Sequence, residues 1–289
     1  MINKCTSKGN FFCLLGLPKC GTTWLAEYLR ASPAIYIPPV KELQLFSRRF
    51  RPDLYRWMDS LFQRNLINTI RNLDKNTKNT DASIELVRLL TEIYSMPLLA
   101  DDHRFIDHYR KLFVAVSSDD LLSFGEMSTT YCTLHEQHLQ LLDSCFADTK
   151  YIVILRDPKT RLWSHIKHKA RFFDSDPVRD LDRWLADKEI SEINEYRHIL
   201  NKVFSVIPRE RVMIVFYEAL FYDDKNETLK SLCNFLDIEY VDANKANKIY
   251  VSNSQNLPDG FSDKLKIRTA DNYNFVQQLV GYTPDNWEY

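Results

Sequence analysis

Three short runs of the chain are apolar throughout and rich in β-branched or aromatic residues: Phe11 to Leu15, Tyr151 to Leu155 and Val212 to Phe216. Runs this short and continuous predict strands buried on both faces. Elsewhere apolar residues recur every three or four positions, which predicts helices. The first covers Thr22 to Ala31, opening on hydroxyl residues, with Leu25, Tyr28 and Leu29 at helical spacing and Ser32-Pro33 as its stop. Others are expected over Ser83 to Tyr94, His135 to Leu142, Lys159 to Arg171, Asn194 to Phe204, Glu227 to Leu236 and Asn272 to Leu279. Buried strands alternating with helices predict an α/β three-layer sandwich around a central parallel sheet. The least regular stretch, about 50–120, is broken by the polar run Asp74 to Asp81. No linker, repeat or extended low-complexity tract is visible. The pattern therefore predicts one domain over 1–289, with a helical insertion at about 50–120 that in an α/β enzyme would cap the substrate site.

Composition narrows the classes. The chain has 289 residues, 45% of them hydrophobic, with 38 Lys and Arg against 39 Asp and Glu, which excludes a disordered tail or a fibre. Near-zero net charge argues against a general nucleic-acid binder but leaves room for a local basic pocket. No stretch reaches the roughly 18 consecutive apolar residues of a membrane span. Lys4 and Lys8 ahead of Phe11 to Leu17 imitate a secretory signal, yet the run ends in Pro18-Lys19 without a small-residue cleavage pattern. Six cysteines show neither a C-x-x-C pair nor zinc-ligand spacing, so reduced thiols in a cytoplasm and no metal are expected. Glycine is scarce: ordinary usage of roughly 7% would give about 20 in this length, and six are present. Two of the six, Gly16 and Gly21, stand in the loop after the first strand.

That loop, Leu15-Gly16-Leu17-Pro18-Lys19-Cys20-Gly21-Thr22-Thr23-Trp24-Leu25, joins a strand to a helix. Such a junction offers backbone N–H groups and the positive end of a helix to an anion. Gly21 would allow close backbone approach, Lys19 would add a cation, and Thr22 and Thr23 would add hydroxyl donors. The nucleotide triphosphatase pattern G-x-x-x-x-G-K-[ST] is not met, because Thr22 stands where it requires lysine. A plain strand-to-helix turn with a surface lysine is the bland alternative. At the end of the second buried run, Arg156-Asp157-Pro158 leads into a helix carrying Arg161 and Ser164. An arginine at a strand's carboxyl end lies where open α/β sheets bind ligands, and its fork suits a phosphate.

Pro-Lys-Cys-Gly-Thr-Thr-Trp at 18–24 resembles the 5′-phosphosulfate loop of sulfotransferases that use 3′-phosphoadenosine 5′-phosphosulfate (PAPS), and R-D-P-x-x-R-x-x-S at 156–164 resembles their 3′-phosphate motif. The resemblance, closest in style to the carbohydrate and bacterial members, implies a 5′-phosphate held by Lys19, Cys20, Gly21, Thr22 and Thr23, with Trp24 close to the nucleotide. It implies Arg156 and Ser164 on the 3′-phosphate. Cys20 fills a variable position, so its thiol is expected to be incidental. Phe216-Tyr217-Glu218 resembles a family stretch in which Tyr217 would approach the adenine; a hydrogen-bonded core tyrosine fits as well. No basic-glycine loop completing the 3′-phosphate site is apparent, and Lys264, Lys266 and Arg268 are its nearest candidates.

For the acceptor side, no Thr-His-Leu-Pro stretch like that of the phenol and steroid enzymes is present, and His103 and His108 are expected to be exposed helix residues. Lys41-Glu42-Leu43-Gln44-Leu45-Phe46, after Ile35 to Pro39, resembles the Lys-Glu-Pro-His-Phe-Phe-like segment of heparan sulfate enzymes. That implies Glu42 as general base and Lys19 as the cation on the leaving group. Lys41 would be either a neighbour in the site or an ordinary surface lysine. Gly125-Glu126-Met127-Ser128 resembles the family's Gly-Glu-Lys-Ser/Thr segment, with Gly125 as a turn and with Glu126 and Ser128 supporting the site. Gln44 and Met127 replace a histidine and a lysine that face an acidic sugar, which leaves a neutral glycan, a lipid-linked sugar, a small alcohol or a phenol as acceptor. The competing expectations are a catalytically inactive nucleotide-binding protein on the same fold and a kinase-like ATP enzyme.

Overall fold

The computed structural model describes residues 9–38, 42–75, 88, 90–98, 101–114, 121–223, 226–243 and 260–287. Five strands, β1 (Asn10–Gly16), β2 (Ile35–Tyr36), β3 (Ser123–Met127), β4 (Lys150–Leu155) and β5 (Val212–Phe216), pair in the order β2-β3-β1-β4-β5, every pair parallel. The three expected strands are β1, β4 and β5, which lie side by side. The apolar runs of β1 and β4 are buried throughout, whereas Met213 and Ile214 of the edge strand β5 are half-buried.

β3 escapes the apolar-run pattern because it contains glycine and glutamate, both poor strand formers. Gly125 is not a turn but the middle of this strand, paired with Phe12. A Cβ there would lie 2.1 Å from the Phe12 carbonyl oxygen, so only glycine fits against the central strand.

The helices follow the pattern more closely. They are α1 (Thr22–Arg30), α2 (Leu45–Phe50), α3 (Pro52–Lys75), α4 (Asp102–Val114), α5 (Glu136–Asp143), α6 (Pro158–Phe172), α7 (Leu181–Leu185), α8 (Lys188–Ile193), α9 (Tyr196–Val206), α10 (Tyr217–Tyr222), α11 (Glu227–Phe235) and α12 (Phe261–Val280). The described part of 50–120 is helical, and α3 runs into Asp74, so the polar run starts inside a helix. The helix expected over Ser83 to Tyr94 falls largely outside the described residues and is helical at 88 and 90–94. Most apolar side chains form one core around the sheet. A smaller core, including Leu162, Ile166, Trp184, Ile190 and Leu265, lies between α6, α7, α8 and α12, so α6 has its own apolar support. Lys169 of α6 pairs there with Asp187 at 2.6 Å and Glu189 at 2.8 Å.

Candidate active site

β1 leaves the centre of the sheet into the loop, and Leu17 N–H donates to the Ile154 carbonyl of β4 (3.1 Å). Lys19 and Gly21 both adopt left-handed backbone, at φ 70° and 76°. Gly21 precedes α1, whose first turn has no acidic residue and whose start has no side-chain cap. The positive end of the α1 dipole therefore meets neither a capping side chain nor an acidic residue in its own first turn, which suits an external anion. By contrast, Asp157 closes the start of α6 by accepting from Thr160 N–H (2.7 Å), and its other oxygen accepts from the Tyr273 hydroxyl (2.8 Å).

Packing as well as φ requires glycine at 21. A Cβ there would meet Phe221 Cε2 at 2.6 Å and Tyr217 Cδ2 at 3.1 Å. Gly21→Ala is expected to destabilise the fold by about 2 kcal/mol, from left-handed strain plus overpacking, measured as a lower urea midpoint at unchanged slope. A midpoint equal to wild type would show that the loop relaxes freely. Cys20 is fully buried, and burial pushes its thiol up to about 12, so it stays protonated. Thr22 is buried and Thr23 half-buried, while Trp24 stacks on Tyr28 at 5.6 Å and leans on Phe221 at 5.0 Å.

Arg156 leaves the end of β4 toward this loop. Its NH1 donates to the Lys19 carbonyl (2.9 Å) and its guanidinium carbon stands 4.4 Å from the centre of the Tyr217 ring. Tyr217 opens α10 rather than closing β5. Lys19, Arg156 and Tyr217, separated in sequence, thus converge in one place. Ser164 is buried on α6, and three residues on lies Lys167, which the motif did not include. Burial, then the nearby charges of Arg156 and Arg171, push the Lys167 ammonium down. Like charges held together suit a polyanionic ligand.

Arg161 is fully buried, donates to Asn194 Oδ1 (3.0 Å), and keeps two further nitrogens, Nε and Nη1, without a partner. Lys264 and Arg268 do not complete the site among the described residues: they lie on α12, paired with Asp182 at 2.8 Å and Glu195 at 3.6 Å.

On the other side, Glu42 and Gln44 both hold left-handed backbone (φ 58° and 52°), a costly conformation for non-glycine residues and typical of functional sites. Gln44 Nε2 donates to Glu42 Oε2 (2.9 Å). The segment after β3 anchors this turn: Gln44 N–H donates to Ser128 Oγ (3.0 Å), Phe46 N–H to the Tyr131 hydroxyl (3.2 Å), and Ser47 Oγ lies 2.6 Å from Thr130 Oγ1. Lys41 lies outside the described residues. His108 faces Glu92 at 3.4 Å and His103 is exposed, both on α4.

A residue the motifs did not flag, His168, stands one turn beyond Ser164 on the same face of α6. His168 is exposed, and partial desolvation and the Lys19 charge hold its imidazole below the usual range, while Glu42 pulls the other way. It therefore sits in the field of both expected catalytic groups, neutral near pH 7. Its four-residue spacing from Ser164 was the only sign in the sequence.

Among the described residues no group of three or more His, Cys, Asp and Glu could hold a metal, and no helix is long and apolar enough to cross a membrane. No curated protein sequence matches the chain. The fold is shared with a sulfotransferase from Alicyclobacillus acidocaldarius, at 19% identity over 98% of this chain and 99% of that one (TM-score 0.62). It is shared also with the sulfotransferase domain of the Synechococcus PCC 7002 olefin synthase, at 17% identity over 98% and 97% (TM-score 0.54). The model of the sulfotransferase family matches residues 12–242, spanning the phosphate loop, the Arg156 motif and the Glu42 turn, and the chain belongs to that family.

Proposed function

We infer that the chain moves the sulfuryl group of PAPS to an acceptor hydroxyl, with Glu42 taking the proton and Lys19 beside the departing oxygen. The observation that supports this reading most is the contact of Arg156 with the Lys19 carbonyl, which brings the two phosphate motifs together beside Tyr217. The donor set fits a nucleotide with phosphates at two ends: loop amides, Lys19, Thr22 and Thr23 at one, and Arg156, Ser164 and Lys167 at the other. Trp24 would flank the base. The two orphaned nitrogens of buried Arg161 add positive charge that no carboxylate answers among the described residues. When bound, PAPS supplies an activated sulfuryl group on a phosphosulfate anhydride.

The chain's own part is positioning and electrostatics, as in phosphoryl transfer. The loop and Arg156 fix the donor, Lys19 meets charge growing on the bridging oxygen, and the Gln44 amide orients the Glu42 carboxylate toward the acceptor. Gln44 is occupied with Glu42, and Met127 is buried at the end of β3. Neither offers a cation to an acidic sugar, which favours a neutral sugar, small alcohol or phenol. The region 50–120 would cap that side within a single domain. Five buried, unbridged cysteines (13, 20, 132, 145 and 233) suit a reducing cytoplasm. A second reading moves the base to His168, because its ring is neutral and lies in the field of both Lys19 and Glu42.

Calorimetry with the product 3′-phosphoadenosine 5′-phosphate (PAP) against AMP tests the nucleotide reading. PAP is expected to bind at least about 10²-fold more tightly, since charge-assisted bonds to the extra phosphate are each worth roughly 1.5–3 kcal/mol. Equal affinities would remove the 3′-phosphate assignment. Labelled sulfuryl transfer across a panel of acceptors then separates an enzyme from a protein that only binds the nucleotide.

A further inference from the structure

Trp57, Phe172 and Phe173 form a corner of three rings on the surface. Trp57 of α3 lies 4.6 Å from Phe172 and 5.7 Å from Phe173, the two phenylalanines at the end of α6 stand 5.2 Å apart, and the planes are inclined at 56°, 57° and 79°. Phe172 and Phe173 remain 36% and 41% exposed, and Trp57 is half-buried. The rings are nevertheless held in place. The Trp57 indole N–H donates to Glu189 Oε2 (3.2 Å), a buried carboxylate that also takes Lys169 Nζ at 2.8 Å. Phe173 stands 6.0 Å from Trp184 of the smaller core. Anchoring half-exposed rings in this way fixes their orientation before any ligand arrives. The corner adjoins both walls of the acceptor side. The chain leaving the Glu42 turn passes through α2 into α3 and meets α6 where Trp57 lies against Phe172. On α6, Phe172 follows His168 by four residues and Ser164 by eight, about 6 Å and 12 Å along the axis.

We propose that Trp57, Phe172 and Phe173 hold the aryl group of the acceptor, so that the substrate is an aryl-bearing alcohol whose hydroxyl stands about one helical turn from its ring. The assignment rests on the reading of Glu42 and Lys19 as the transfer centre. Inclined rings offer a face to one side of an incoming ring and an edge to another, the two arrangements that aromatic pairs prefer. The indole N–H is the one polar group on the three side chains, and Glu189 already takes it. The rings therefore leave the hydroxyls of a sugar unanswered, at the cost of their lost hydrogen bonds to water. An aryl group brings no such groups to the corner and gains the whole of the apolar contact.

The test is steady-state transfer by the full chain to phenethyl alcohol, hexanol and methyl glucoside, with saturation-transfer NMR of the same probes in the presence of PAP. Phenethyl alcohol is expected to have the lowest KM, and its ring protons the strongest saturation. Trp57→Ala and Phe172→Ala should each raise that KM by about 10-fold, the worth of one aromatic pair. The KM of methyl glucoside should change much less, and retained PAP affinity shows that the fold survives. Trp57→Phe keeps a ring and should recover most of the binding, which a role confined to the bond with Glu189 would not allow. Equal KM values for the three probes, or an unchanged KM for phenethyl alcohol in the alanine variants, would overturn the proposal. So would self-association on sedimentation that the variants abolish while KM stays the same, since the corner would then be a contact between copies. If Trp57→Ala does not fold, Phe172→Ala at the exposed helix end decides. If wild type transfers to none of the probes, the transfer reading fails and the NMR arm still decides the corner. Ring saturation lost in the alanine variants supports an aryl site, and equal saturation in wild type and variants ends it.

Discussion

Glu42→Gln is expected to lower sulfuryl transfer by about 10²–10⁴-fold, the range for removing a positioned general base, while leaving PAP affinity unchanged. The argument for a clean loss is geometric. The glutamine carbonyl can still accept from Gln44 Nε2, and the anchors at Ser128, Thr130 and Tyr131 reach residues 44–47 rather than the carboxylate. The turn should keep its shape and lose only its proton acceptor. The measurement is single-turnover transfer of label from PAPS to the best acceptor of the panel. His168→Asn supplies the contrast. If Glu42→Gln transfers at the wild-type rate and His168→Asn does not, the base is the imidazole on α6.

Arg156→Ala is expected to weaken PAP binding by about 10²-fold, the loss of roughly 2–3 kcal/mol in charge-assisted hydrogen bonds, and AMP binding by much less. Its other contacts, to the Lys19 carbonyl and the Tyr217 face, support the loop whichever nucleotide is bound, so their loss falls on both ligands. The difference between the two losses isolates the 3′-phosphate. Lysine at 156 should recover little, because it lacks both the bidentate fork and the flat face that lies on Tyr217. Equal losses for PAP and AMP would mean that Arg156 acts only by bracing the loop.

The parts of the fold legible in the sequence are those set by local pattern. β1, β4 and β5 are continuous apolar runs, and the two phosphate motifs sit at the ends of β1 and β4, where a parallel sheet presents its carboxyl edge. β3 was not legible, since Ser-Phe-Gly-Glu-Met is strand only because Phe12 lies against Gly125. α3 was obscured by its exposed polar positions and by the run beginning at Asp74. In the proposed site, Lys19, Arg156, Ser164 and Glu42 were suggested by motif order. Lys167, His168, and the anchoring of residues 44–47 by 128–131 depend on which helix face or neighbouring segment meets the cleft, which spacing along one chain does not encode. Arg161 belonged to the motif, but its buried, half-partnered state is a property of packing with Asn194 and Tyr196.

The position of β1 also bears on how the chain assembles. Among the described strands it comes first in the chain but lies in the middle of the sheet, and its partners β3 and β4 begin only at Ser123 and Lys150. On a ribosome, Phe11 to Leu15 must therefore wait, apolar, with both edges unpaired until β3 has emerged and with one edge unpaired until β4, past the middle of the chain, has followed. The closing contacts are distant in sequence, which makes folding slow and leaves an aggregation-prone segment exposed meanwhile. The strand that leads into the Gly21 loop thus waits longest, among the described strands, for both its neighbours.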